Sequence, residues 1–329
     1  MISRVAVSVL RRVQNTNLTS TSPKGANPIS TAMTHSRPER GLQGRVAIVT
    51  GAGSSADGIG NGRAAAILLA EDGCSVVCVD LDLDLAQKTV HMIRDEVQGS
   101  AIAFAADVTK EEECRNVVRA CIEQYGRLDI LVNNVGINGP MGTTTEVDIA
   151  AFYKGLEVNV GSMILMAKYA IPQMCKNPGQ WAGSIVNLGS TASLKGGHPA
   201  IFYPTSKGAI PNLTRAMVRH PQSERDVSIC FGSGGPELTT VSAGMVFTPM
   251  VDIKGGMSMA ERQARASRSI LKTEGSGWDI GAAVRFLSSD CARWITGAIL
   301  PVDAGATAAL GLGIPSLHDG LRGTVGAKL

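Results

Sequence analysis

Tyr203 and Lys207, four residues apart in the run "YPTSK", have the residue types and spacing for proton chemistry. On a helix this separation puts both side chains on one face. An ammonium beside a phenol favours the phenolate. Tyr203 is therefore expected to fall below the reference pKa of about 10 and to serve as a general acid and base near neutral pH. Ser190 lies thirteen residues before Tyr203, at the end of the apolar run "GSIVNLGS", and could hydrogen-bond the same substrate oxygen. Asn159, in "LEVNVGS", completes four candidate catalytic residues. A tyrosine and a lysine at this spacing also sit on ordinary solvated helix faces, so the surrounding elements must decide.

A second group could hold a cofactor. The stretch "TGAGSSADGIG" (50–60) follows the apolar run 46–49 and leads into "NGRAAAILLA", of helical composition. Glycines let a backbone turn sharply and approach a pyrophosphate, whose charge then sits at a helix N-terminus. From Gly51 the pattern is G-x-G-x-x-x-x-G-x-G, longer than the plain dinucleotide fingerprint. Twenty residues after Gly60, Asp80 closes the run "SVVCVD". There a carboxylate can accept hydrogen bonds from the adenosine ribose and would repel the extra phosphate of NADP, which points to NAD, with NADP as the second choice. A strand-end Asp can also simply cap the turn that follows.

These residues need elements to position them. From Gly44 onward apolar runs alternate with helical patterns, the mark of β-α-β units closing a parallel sheet. Strands are predicted at 45–50, 75–80, 101–107, 128–134, 183–190 and 297–303, with a poorly defined one near 238–244; helices are predicted at 60–72, 83–97, 110–125, 147–175, 202–219 and 276–288. The expected fold is α/β: a single-domain, Rossmann-like, doubly wound parallel sheet with helices on both faces. It binds ligands beyond the carboxyl ends of its strands.

Composition narrows the functional classes. At 329 residues and 44% hydrophobic content the chain has ample material for a core. No stretch reaches the ~18 apolar residues of a spanning helix. Seven scattered cysteines without a C-x-x-C pair argue against a disulfide framework and a zinc site, and favour a reducing compartment. Residues 1–40 carry six basic side chains against Glu39, so the formal charge of +3 leaves the rest of the chain slightly acidic, with no footprint for nucleic acid. The basic, Ser/Thr-rich leader (1–40) has the composition of a mitochondrial transit peptide; a disordered extension, or a true start at Met33, fits it as well. The expected domains are this leader, a catalytic domain at 41–307 and a Gly-rich tail at 308–329. A cytoplasmic location is expected, with the mitochondrion as the alternative.

Taken in order, the glycine turn, Asp80, "ADV" (106–108), "NNVG" (133–136), Asn159, Ser190, Tyr203, Lys207, "ITG" and "PVDAG" resemble the short-chain dehydrogenase/reductase family from about Gly44 to Thr307. The resemblance implies an NAD(P)-dependent oxidoreductase that interconverts a secondary alcohol and a ketone by direct hydride transfer, with no metal. Tyr203 would exchange the proton, and Lys207 would lower its pKa and hold the nicotinamide ribose. Ser190 would orient the substrate oxygen, and Asn159 would hold a water linking Lys207 to solvent. Gly51, Ser54, Gly58, Ile59 and Gly60 would form the phosphate cradle. Asp107 and Val108 would edge the adenine, Asn134 and Gly136 the cofactor wall, and Thr248 would meet the carboxamide. An apolar alcohol or ketone substrate and a homodimer or homotetramer are implied. The alternatives are a tailoring dehydrogenase of secondary metabolism, acting on a terpenoid or polyketide, and a non-catalytic cofactor-binding homologue.

The chain departs from the family pattern twice. The motif T-G-x-x-x-G-x-G fits Thr50, Gly51, Gly58 and Gly60 only with three extra residues within "SSAD". Further on, Ala243 replaces a proline, and "ICFGSGGPEL" suits a loop better than a buried strand. Residues 219–242 are thus either an insertion at the mouth of the site or an error of the gene model. In the following segment (249–275), Met250, Met257 and Met259 could face an apolar substrate or pack a helix. His198 could line the pocket or sit at a loop tip.

Overall fold

A computed structural model of the chain describes residues 38, 41–54, 58–178, 182–218, 236–252 and 256–308. The expected leader and tail lie outside the described residues, apart from Pro38 and Ala308.

The first half of the sheet is built from β1 (Val46–Thr50), β2 (Ser75–Asp80), β3 (Ala101–Ala105) and β4 (Ile130–Asn133), linked by α1 (Asn61–Glu71), α2 (Leu83–Val97) and α3 (Glu111–Tyr125). A long helix follows, made of α4 (Ile149–Leu156), a π-helical turn (Glu157–Gly161) and α5 (Ser162–Met174). Then come β5 (Ser184–Ser190), α6 (Phe202–Val218), β6 (Glu237–Ala243), the short β7 (Val246–Phe247), α7 (Met259–Ala266), the short β8 (Gly275–Ser276), α8 (Gly277–Leu287) and β9 (Ile299–Val302). Seven of these strands form one sheet in the order β3-β2-β1-β4-β5-β6-β9, and every pair is parallel. The order reverses between β1 and β4, which opens a crevice at their carboxyl ends.

Period-two alternation sorts the strand side chains between two cores. Ala47, Val49, Val76, Cys78, Ile130 and Val132 pack with α1, α2 and α8 on one face. Val46, Ile48, Val77, Val79 and Leu131 pack with α3 and α5 on the other. Apolar residues on both faces explain why these strands read as near-continuous hydrophobic runs.

Three expectations are corrected. The strand near 238–244 is well formed: β6 pairs with β5 over its full length, from Ser184↔Glu237 to Ser190↔Ala243, and with β9 on its other edge. The Gly and Pro residues that argued against a strand end at Pro236, just before it begins, and "ELTTVSA" is rich in the β-branched residues that suit a buried pleat. Residues 219–235 lie outside the described residues. Secondly, Cys175 is bound in a disulfide, which the scatter of cysteines did not lead us to expect; Cys74, Cys78, Cys114 and Cys121 are free and buried. Lastly, α7, β7 and β8 arise within or beside 249–275, for which no strand or helix is predicted, and α7 starts with a Ser258–Glu261 capping box. Among the described residues, no helix is long and apolar enough to cross a membrane.

Candidate active site

Tyr203 enters the crevice because α6 is anchored one residue earlier. Phe202 is fully buried, packs edge-on against Phe152 and fills a notch left by Gly139 and Gly155, where added side chains would collide with its ring. Pro204 falls in the first helical turn, where a missing N–H costs nothing. A buried chain of hydrogen bonds fixes the helix to the sheet: Asn133 Nδ2 donates to Asn187 Oδ1 (2.9 Å), Asn187 Nδ2 to Thr214 Oγ1 (2.9 Å), and Thr214 pairs with Thr240 (2.8 Å).

Ser190, Tyr203 and Lys207 share one cavity of about 300 Å³. Ser190, at the end of β5, faces Tyr203 across the cavity and accepts from the Ala192 N–H (3.2 Å). Lys207 is buried and donates to the Leu188 carbonyl (3.0 Å); its Nζ lies 6.0 Å from the Tyr203 ring centroid. The electrostatics depart from expectation. Burial pushes the Tyr203 phenol above its ordinary value, and the Ser190 hydroxyl only partly offsets this. Burial also brings the Lys207 ammonium down to about 8. The expected lowering of the tyrosine by its lysine is therefore absent, because removal of water from the phenol outweighs a cation directed at Leu188 instead.

Asn159 does not line the cavity; it is fully buried behind it, in the π-helical turn. Its Oδ1 accepts from Ile137 N–H (2.7 Å), and its Nδ2 donates to Ile137 O (3.0 Å) and Ser206 Oγ (3.0 Å). Ser206 in turn donates to the Tyr203 carbonyl (2.9 Å). Asn159 thus ties the loop after β4 to the first turn of α6. The widened helical turn, a feature that recurs at functional sites, carries this junction. Gly136 leaves room for it: a Cβ there would stand 3.2 Å from Lys207 Nζ and 3.4 Å from Asn159 Oδ1.

At the other end of the cavity, Gly51, Ser54, Gly60 and Asp80 line the wall, with Asn134 between the two ends. Gly51 takes a left-handed φ of 62°, and Asn134 Nδ2 donates to the carbonyls of Thr50 (3.2 Å) and Gly51 (2.9 Å). Asp80 performs the capping task and stands where the ribose task would need it. It caps the following turn through Asp82 N–H (3.2 Å), accepts from Gly53 N–H (2.9 Å), and still faces the cavity. A Cβ on Gly53 would meet Asp80 Oδ2 at 2.6 Å and Leu85 Cβ at 2.7 Å, so a side chain there would displace the Asp80 carboxylate. These residues fit a dinucleotide: backbone is exposed at the start of α1 for phosphate, and a carboxylate stands at the end of β2.

Thr248 is buried and lines the same cavity. Gly58 and Ile59 flank the cradle without lining the cavity. Asp107 and Val108 are not brought to the cavity either; the Asp107 carboxylate is held by Thr109 N–H (2.9 Å) and Oγ1 (2.6 Å), which keeps it below the usual carboxylate range. Of the methionines, Met250 lines the cavity with Pro249 and Val251, whereas Met259 points to solvent. His198 is on an exposed loop, its ring stacked on Tyr203 with centroids 5.4 Å apart. Sequence reading missed Gly62, whose Cβ would run into the Gly51 carbonyl; the "GNG" at 60–62 was its signal. It also missed the buried Arg63.

Parallel strands reversing at a glycine turn, with Ser, Tyr and Lys converging across the crevice, define an α/β nucleotide-binding oxidoreductase. A family model described as enoyl-(acyl carrier protein) reductase matches residues 54–307. The chain is 31% identical to the cis-4-hydroxycyclohexanecarboxylate dehydrogenase of Sinomonas cyclohexanicum over 80% of its own length and 97% of that protein. It superposes on a short-chain dehydrogenase/reductase from Burkholderia xenovorans with a TM-score of 0.72 at 34% identity, covering 82% of this chain and 99% of that one. A 7α-hydroxysteroid dehydrogenase in complex with NADH and 7-oxo glycochenodeoxycholic acid gives 0.69 at 30% identity, covering 82% and 97%. The chain belongs to the short-chain dehydrogenase/reductase family. It is a nicotinamide-dependent oxidoreductase that interconverts a secondary alcohol and a ketone.

Proposed function

We propose that the chain oxidises a cyclic or otherwise apolar secondary alcohol with NAD in preference to NADP, and runs the reverse reduction when NADH and ketone are supplied. The observation that carries this reading is the Ser190–Tyr203 pair in a cavity walled on one side by Asp80 and the glycine cradle and on the other by Met250 and Val251. When bound, the cofactor supplies or accepts the hydride. The protein's own part is placement and proton transfer. In reduction the Tyr203 phenol, kept protonated by its burial, gives its proton to the ketone oxygen, and in oxidation its phenolate takes the alcohol proton. Ser190 holds the same substrate oxygen and stabilises its developing charge. Lys207 holds the ribose and returns the proton toward solvent, and Asn159 keeps the first turn of α6 in register with the loop after β4. Asp80 disfavours a ribose phosphate. Met250 and Val251 present an adaptable apolar face, which suits rings such as those handled by the cyclohexane and steroid relatives.

A homodimer or homotetramer is part of the same reading, supported by large apolar side chains left at the surface, among them Ile149, Tyr153 and the almost fully exposed Trp294. Four buried free thiols support a reducing, cytoplasmic setting, and the disulfide at Cys175 weighs against it. The test is a panel of secondary alcohols, from substituted cyclohexanols to hydroxysteroids, assayed with NAD and with NADP. Turnover of ring alcohols faster with NAD is expected. Faster turnover with NADP would reverse the cofactor assignment, and NADH binding without turnover of any member would favour a non-catalytic cofactor-binding protein.

A further inference from the structure

The buried cation that the chemistry above leaves unused is Arg63. It stands in the first turn of α1, two residues before the first apolar layer of the helix closes on the sheet, and it is fully buried. A cation there is disfavoured twice. The helix dipole places partial positive charge at that end, and an arginine taken out of water needs acceptors on its whole fork. Among the described residues, its acceptors belong to the glycine turn and to α2. Nη1 donates to Gly58 O (2.7 Å), and Nη2 donates to Ser54 O (3.1 Å) and more weakly to Leu85 O (3.4 Å). Nε donates to Thr89 Oγ1 (3.0 Å), which itself donates to Ala52 O (2.7 Å). Ser54 and Gly58 are the two residues between which this chain carries its extra length. One guanidinium therefore holds both ends of the lengthened turn and ties them to the helix that follows Asp80.

We infer that Arg63 is the positioning residue for cofactor binding: it draws carbonyls of the glycine turn inward, so that the opposite faces of those peptides are free to meet phosphate. In a trans peptide the N–H points away from its own carbonyl. Holding Gly58 O against the guanidinium therefore aims the Ile59 N–H to the other side. Asp80 fixes Gly53 N–H in the same turn, so adjacent residues are clamped from two directions. Arg63 takes no part in proton transfer, and its effect belongs in cofactor affinity alone.

This inference rests on the proposed nicotinamide site, and the test separates the two. NADH is titrated by fluorescence into the full chain, and steady-state constants are measured with cofactor and alcohol varied in turn. Arg63→Met is expected to raise the NADH Kd and the cofactor KM by about tenfold or more. The kcat at saturating cofactor should stay within about twofold and the alcohol KM should hold. Arg63→Lys, which keeps the charge but loses the fork, should fall between. Thr89→Val, which removes a single tether, should raise Kd several-fold, and Thr89→Ser, which keeps the hydroxyl, should restore it. The Thr89 pair decides the matter if Arg63→Met does not fold. Wild-type affinity in folded Arg63→Met or in Thr89→Val, or a loss in kcat with cofactor KM unchanged, would overturn the inference. Failure of the wild-type chain to bind NADH would instead overturn the cofactor reading beneath it.

Discussion

The two ends of the cavity achieve precision by opposite means. At the Tyr203 end, side chains face the cavity and would meet the substrate directly, while Asn159 and the Asn133–Asn187–Thr214 chain hold them from behind. At the glycine end the cavity wall is largely backbone, and the side chains that matter, Arg63, Thr89 and Asn134, act by gripping carbonyls. Substitutions at the first end should therefore damage turnover, and substitutions at the second should damage affinity. The lengthened turn is tolerable at the second end because loop-closure entropy grows slowly with length and the turn is clamped on both sides of its extra residues.

The largest break in this symmetry is expected from Ser190→Ala. Removing the hydroxyl that faces Tyr203 and is proposed to hold the substrate oxygen should lower kcat by about 10²–10³-fold, while NADH affinity, measured by titration, stays within about twofold. A matching loss of NADH affinity would mean that the two ends are not separable.

Next in size is a pH effect confined to the catalytic end. Burial lowers the Lys207 ammonium to about 8 from its ordinary 10.5. Below both values the folded state carries the cost of a buried charge. Between them the unfolded chain binds more protons, so stability rises with pH. The buried thiols Cys78, Cys114 and Cys121, raised to about 12, pull the other way above about pH 9, so the comparison must be with Lys207→Met. Relative to that variant, the wild type should gain about 2 kcal/mol between about pH 7.5 and about pH 10, read from urea midpoints. A constant difference would show that Lys207 titrates normally.

Much of this arrangement is legible in the sequence, for identifiable reasons. The strands 46–50, 75–80 and 184–190 are largely buried and mostly apolar, and are bounded by polar turns, so their limits show in composition. Tyr203, Lys207 and Ser190 announce themselves because their chemistry and spacing occur together. Composition misled at β6, where a Gly/Pro cluster ends one residue short of the strand. The sign of the Tyr203 shift was not legible, since it depends on how deeply the phenol is buried and on where the lysine points. Arg63 was invisible for the same reason: in "NGRAAAILLA" it looks like a solvated helix residue, and only tertiary packing turns it under the glycine turn.

At the glycine end, Gly62→Ala sharpens the comparison. The added methyl would run into the Gly51 carbonyl, and such overpacking costs about 1–3 kcal/mol. A fall in melting temperature together with weaker NADH binding is expected, with kcat at saturation retained. Unchanged stability would mean that α1 can shift away from β1. Smallest is Asp80→Asn, which keeps an acceptor for Gly53 N–H but removes the charge. It should narrow the preference for NADH over NADPH by about tenfold, roughly 1.4 kcal/mol, and parallel titrations that leave the ratio unmoved would take the cofactor choice away from Asp80.

The most direct measurement loads wild-type protein and Tyr203→Phe with NADH, mixes each with a ring ketone that the wild type reduces, and follows NADH fluorescence through the first turnover. Both proteins should bind NADH equally, but only the wild type should consume it rapidly, with the variant slower by about 10²–10⁴-fold. Equal first-turnover rates would contradict the assignment of proton transfer to Tyr203 and, with it, the division of labour between the two ends of the cavity.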